Sequence, residues 1–195
     1  MTEISRNNSF ESEADSDTFY EDDSNTDQNS SKNKSNIKLD FDEIEKQKIS
    51  FSISNIVAQI TESNNTNQKK MIFDKRMSVL YSLNVPKISL HDYISRIHKY
   101  CPIDKSTIIL SLIYIDRFCN MNNFKLTNLN IHRILFISSL IAIKYNDDSL
   151  YQNKYYAQVA GIPLNEINLM EQTFLKYLDY KLFVSDEEFQ QYSIY

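Results

Sequence analysis

The stretch that decides the fold is residues 104–123, DKSTIILSLIYIDRFCNMNN, with its neighbour at residues 127–146, TNLNIHRILFISSLIAIKYN. In the first, Asp104 is placed to open a helix, and Ile108, Ile109, Leu110, Leu112, Ile113, Ile115 and Phe118 occupy nearly the whole circumference at 3.6 residues per turn. Asn120–Asn123 ends it. The second opens at Thr127 or Asn128 and is apolar on most faces through Ile131, Ile134, Leu135, Phe136, Ile137, Leu140, Ile141 and Ile143. A helix that is apolar all round has to be enclosed by others, so both stretches belong at the centre of a helical domain.

Working outward, Ser89 is a natural N-cap for a helix carrying Leu90, Tyr93, Ile94, Ile97 and Cys101, which Pro102 stops. A shorter helix covers about Asn153–Ala160. Gly161, the only glycine in the chain, follows it at the position where a left-handed backbone ends a helix. Pro163 stands near the start of a last helix with Ile167, Met170, Phe174, Leu175 and Leu178 on one stripe. These are five helices joined by short loops. With one glycine, three prolines and no alternating polar–apolar segment, the fold class is all-α.

Upstream, Ile53, Ile56, Val57 and Ile60 predict a further short amphipathic helix over about Ser52–Thr61, and the polar stretch Glu62–Lys70 reads as a loop. Residues 1–36 are Ser, Asn, Asp and Glu with scattered aromatics, a composition that predicts a disordered acidic tail. Charge divides a little further on. Residues 1–45 hold 4 Lys/Arg against 13 Asp/Glu, a net of −9, whereas residues 46–195 hold 17 against 13, a net of +4. A domain so weakly basic lacks the dense positive field of a nucleic-acid binder. The domain plan is therefore a tail at 1–36, a helical domain at 48–184 and a short extension at 185–195.

Chemistry is hard to find in this chain. His91, His98 and His132 have no third ligand at zinc-binding spacing and read as surface or capping residues, so no metal is expected. One glycine cannot build a phosphate-cradling loop or a nucleophile elbow. Asp147 and Asp148 are adjacent and do not converge on one substrate atom. Cys101 and Cys119 form no CxxC pair and read as small buried hydrophobes. No catalytic residue, cofactor or small-molecule substrate is expected. No apolar run reaches the about 18–20 residues that cross a bilayer, and no secretory signal precedes the domain, so an intracellular protein of cytoplasm or nucleus is the expectation.

Several segments go beyond generic helix. Tyr114-Ile115-Asp116-Arg117-Phe118 resembles the YIDRF element of the cyclin box. Ile141-Ala142-Ile143-Lys144-Tyr145, with Asn146-Asp147-Asp148, is similar to the segment closing the third cyclin-box helix. Asn168-Leu169-Met170-Glu171 followed by Phe174-Leu175 resembles the fifth helix with its single interior Glu. Ile88-Ser89 leading to Asp92-Tyr93-Ile94, Asn130 to Leu135, and Tyr156 to Ile162 resemble the phosphate-pathway, or P/U-type, branch.

The resemblance implies a single five-helix cyclin box, preceded by the amphipathic helix, that binds and activates a cyclin-dependent Ser/Thr protein kinase as a heterodimer. Both cell-cycle and nutrient-response roles fit it. It implies that Lys144 and Glu171 grip the kinase backbone, surrounded by Tyr145, Ile167, Met170 and Phe174. A Lys donates to spare carbonyls and a Glu accepts from spare N–H groups near a helix end. It also implies structural roles for Tyr114, Asp116 (as a buried partner), Arg117 (as a surface or intramolecular contact) and Gly161. Many cell-cycle cyclins have an Arg that pairs with the Asp of YIDRF. Lys87 stands at that register here and is the expected substitute, without the planar fork of a guanidinium. Two other readings share these helices: a helical adaptor for a partner other than a kinase, and a transcription-associated cyclin-fold protein.

Overall fold

The computed structural model describes residues 31–66, 75–148 and 150–193, and among them no strand occurs. The chain divides into units 1–37 and 38–195. Of the first, only Ser31–Ile37 are described, as the opening turns of a long helix, α1, Ser31–Thr66. The tail read at 1–36 therefore lies outside the described residues up to residue 30.

In the second unit a 3-10 turn at Lys75–Leu80 precedes six helices: α2 Leu90–Tyr100, α3 Lys105–Asn122, α4 Ile131–Asn146, α5 Asn153–Ala160, α6 Leu164–Tyr177 and α7 Asp186–Ser193. The starts follow local chemistry. Ser89 Oγ accepts from the Asp92 backbone N–H at 3.0 Å, and Asp104 Oδ1 accepts from that of Thr107 at 2.7 Å. Each supplies one of the bonds a helix N-terminus lacks. Asn123 closes α3 at φ 47° and Gly161 closes α5 at φ 71°, both left-handed.

α4 starts later than its sequence suggests. Thr127–Asn130 forms a turn in which buried Asn130 accepts from the Thr127 N–H through Oδ1 and donates to the Lys125 carbonyl through Nδ2. An Asn that caps its own preceding loop competes with helix there. α1 extends well beyond Ser52–Thr61 at both ends and takes in Glu62–Thr66, part of the stretch read as loop, whose Asn67–Lys70 are not described.

α3 and α4 are the central pair; α2, α6 and α7 pack against one or both of them, α5 packs on α2 and α6, and the 3-10 turn packs on α6. Ile113, Tyr114 and Phe118 of α3 and Ile134, Ile137, Leu140 and Ile143 of α4 are fully buried. Phe118 stacks flat on Phe174 of α6 at 4.4 Å between centroids. Of the four residues in the amphipathic pattern on α1, Ile53 and Val57 are buried, whereas Ile56 and Ile60 are exposed.

His132 departs from the surface role read for it. It is half-buried on α4, its Nε2 bonding the Ile88 carbonyl at 3.1 Å, while Nδ1 is buried with no hydrogen-bond partner. Burial pulls its pKa below the ordinary 6.5, opposed by the bond to Ile88. With the folded pKa depressed, the unfolded chain binds the proton first. Stability is then full above about pH 6.5 and falls as pH drops through the window beneath it. His132→Gln, which keeps a donor for Ile88, is expected to flatten the loss of urea stability between about pH 7 and about pH 5.5. An unchanged slope would contradict this.

Candidate kinase-docking face

Lys144 lies in the last turn of α4 and Glu171 in the middle of α6, and packing of α4 against α6 brings them together. Lys144 Nζ donates to Glu171 Oε1 at 2.6 Å, with side-chain exposures of 27% and 17%. The pair is neither split across the molecule nor enclosed. The other carboxylate oxygen accepts from Asn153 Nδ2 at 2.9 Å, and that amide also donates to Asn168 Oδ1 at 2.7 Å. Asn153 is the first residue of α5, so three helices hold one carboxylate.

The expected apolar surround is different in part. Tyr145 is exposed, as a docking residue must be. Ile167, Met170 and Phe174 are completely buried and are corrected from contact residues to core residues. The cause is helical geometry. Positions 167, 170 and 174 form the stripe that α6 turns inward, and Glu171, one turn after Ile167 and about 40° further round, falls at its edge. The outward apolar side chains are Leu164 and Leu169 on α6, with Leu150 and Tyr151 in the α4–α5 connection. Leu169 had a sequence signal, being apolar and off the buried stripe. Asn153 and Asn168 had none, because their bonds are tertiary.

The YIDRF element works elsewhere. Tyr114 is fully buried, and its hydroxyl donates to the Leu182 carbonyl at 2.9 Å. Arg117 makes an intramolecular clasp. Nε and Nη2 reach both oxygens of Glu188 on α7 at 3.1 and 2.5 Å, while Nη1 donates to the carbonyls of Lys181 and Phe183. Asp116 is exposed and not buried as expected. It accepts from Tyr192 Oη at 2.8 Å and from Asn120 Nδ2 at 3.2 Å. The Tyr192 phenol is pushed up to about 12 by burial and by Asp116, so it remains the donor at neutral pH. Among the described residues no ion pair joins Lys87, which is exposed, to Asp116. The predicted substitution is not made, because α7 supplies Asp116 with its partner.

Among the described residues no three His, Cys, Asp or Glu are grouped to hold a metal ion, and no helix is long and apolar enough to cross a membrane. Burial pushes the thiols of Cys101 and Cys119 up to about 12, so neither carries the thiolate a nucleophile needs.

The family described as Cyclin matches residues 12–182. The chain belongs to the cyclin family. The match begins upstream of residue 48, where the motifs begin. Among its relatives, Cyclin-U4-1 of Arabidopsis thaliana is 33% identical over 144 residues, 73% of this chain and 71% of the relative. PHO85 cyclin-like protein psl1 of Schizosaccharomyces pombe is 34% identical over 166 residues, 79% and 68% of the two chains. PHO85 cyclin-7 of Saccharomyces cerevisiae is 38% identical over 125 residues, 58% of this chain but 44% of the relative. The cyclin is of the PHO and U type, and its five-helix box is α2 to α6.

The clasp generates a stability test for this cyclin. Arg117→Ala is expected to cost about 2 kcal/mol or more in urea unfolding, because it strands Glu188 and two carbonyls. Arg117→Lys is expected to recover less than half, a point charge being unable to bond all three partners. Full recovery by Lys would show that charge alone matters there.

Proposed function

We propose that this cyclin is the regulatory subunit of a cyclin-dependent Ser/Thr protein kinase and docks through the face around Lys144 and Glu171. One observation carries the reading. An ammonium and a carboxylate lie 2.6 Å apart at the surface, held by side chains from three helices, with exposed Tyr145 following Lys144 on α4. Exposed Tyr145, next to Lys144 in the chain, and exposed Leu164, two turns before Glu171 and on its side of α6, suit a protein interface better than solvent. The names of the two fungal relatives, which refer to PHO85, support a kinase-partnered role for this chain by analogy.

The mechanism would be thermodynamic. Lys144 has three N–H donors and uses one on Glu171, which leaves capacity for carbonyls at the end of a partner helix. Glu171 would accept from N–H groups at such an end. Contacts made to one position of the kinase's mobile regulatory helix, and not to the other, shift the kinase toward that position. In the inward position that helix's Glu pairs with the ATP-positioning Lys. The cyclin contributes binding energy and no reacting group.

Because Asn153 and Lys144 already fix the Glu171 carboxylate, little side-chain entropy remains to be lost on docking. The variant Lys144→Ala/Glu171→Ala is expected to weaken association with the co-purifying kinase by about 2 kcal/mol or more, near thirtyfold in Kd, with helical circular dichroism unchanged. Unchanged affinity would remove these residues from the interface. A partner without kinase activity in the pulldown would favour the adaptor reading, and salt-sensitive DNA retention the transcription-associated one.

A further inference from the structure

A second surface lies along α1 and α3. One hollow of about 330 Å³ is lined by Ile49, Ile53 and Ile56 of α1, by Ile108, Ile109 and Leu112 of α3, and by Tyr192 of α7. Another, of about 320 Å³, continues past Ile56 and Leu112, which line both, to Ile60, Ile115 and Phe124. Together they form an apolar trough. It extends along α3 from Lys105 to Cys119, roughly 20 Å at the rise of a helix. Ile56 and Ile60 are 57% and 43% exposed, so this wall of the trough faces solvent.

Among the described residues the charged side chains that line the trough are mostly cationic. Three lysines line it, Lys48 and Lys105 at one end and Lys125 at the other. Among the described lining residues one carboxylate occurs, Asp116, and it accepts hydrogen bonds from Asn120 and Tyr192. The trough shares no residue with the face around Lys144 and Glu171.

We propose that the trough docks an acidic peptide segment of a partner protein. Large aliphatic or aromatic side chains of that segment would seat against Ile56, Ile109 and Leu112, and Asp or Glu on either side would meet Lys48, Lys105 and Lys125. The trough accommodates about six residues in extended form or about fourteen as a helix. Apolar anchors supply affinity and the lysines supply selectivity and encounter rate, so the charged part of the interaction weakens with salt. A cyclin with this surface would bring a second protein to whatever its first face holds.

The test is a selection of random twelve-residue peptides displayed on phage against the immobilised full chain, followed by affinity measurements on the enriched sequences. The enriched peptides are expected to be net acidic with at least one Leu, Ile, Phe or Tyr. Their affinity is expected to fall at least about fivefold for Lys48→Glu/Lys105→Glu and for Ile56→Asp, both at exposed positions. It is expected to fall with added salt, and to be unchanged in the control Leu169→Asp. The charge-reversed variant keeps the apolar trough, so a loss there separates recognition from misfolding. Neutral or basic enriched peptides would overturn the proposal, as would affinity indifferent to all three trough substitutions. Self-association of the chain that Ile56→Asp abolishes, with no acidic peptide enriched, would assign the trough to a second copy instead.

Discussion

The contact on which the structure depends is the packing of α3 against α4. Both helices are apolar around most of their circumference, so neither is stable in water until every side is covered. α2, α5 and α6 contribute coverage through Ile94 and Ile97, through Tyr156 and Val159, and through Ile167, Met170 and Phe174. One consequence bears directly on function. Because α6 spends its strongest apolar stripe on the core, only the residues at the edge of that stripe can reach a partner, and Glu171 is one of them.

The charged residues divide into two jobs. Arg117 is a tether: it ties α3 to the Lys181–Phe183 backbone and to α7, joined by Asp116 through Tyr192. Lys144 and Glu171 are different, because their bonds to each other and to Asn153 satisfy one donor and two acceptor sites and leave capacity at the surface. A partly exposed pair of this kind adds little to stability. Exposed Tyr145 follows Lys144 at the end of α4.

Much of this was legible in the sequence, for local reasons. The caps Ser89 and Asp104, the stop at Pro102 and the left-handed Gly161 each act within four residues, and the stripes that identify α2 to α6 repeat every turn. What sequence reading missed depends on distant partners. α7 carries no buried residue and is held by Arg117, 71 positions away from Glu188, so periodicity could not announce it. The full length of α1 had no stripe to mark it, since the regular helical spacing of apolar residues in its sequence runs only from Ile53 to Ile60. At the candidate site, motif reading located Lys144 and Glu171. It then assigned Ile167, Met170 and Phe174 to the partner, although their spacing already marked them for the core.

The central claim is that a kinase meets this cyclin on the face where α4 ends and α6 passes. Hydrogen–deuterium exchange of the full chain, alone and with its co-purifying kinase, addresses that most directly. The account predicts added protection in Ile143–Asp147 and around Leu169–Gln172, with little change along the α1–α3 trough. Protection confined to the trough or to α7, with the ends of α4 and α6 exchanging as in the free chain, would contradict it.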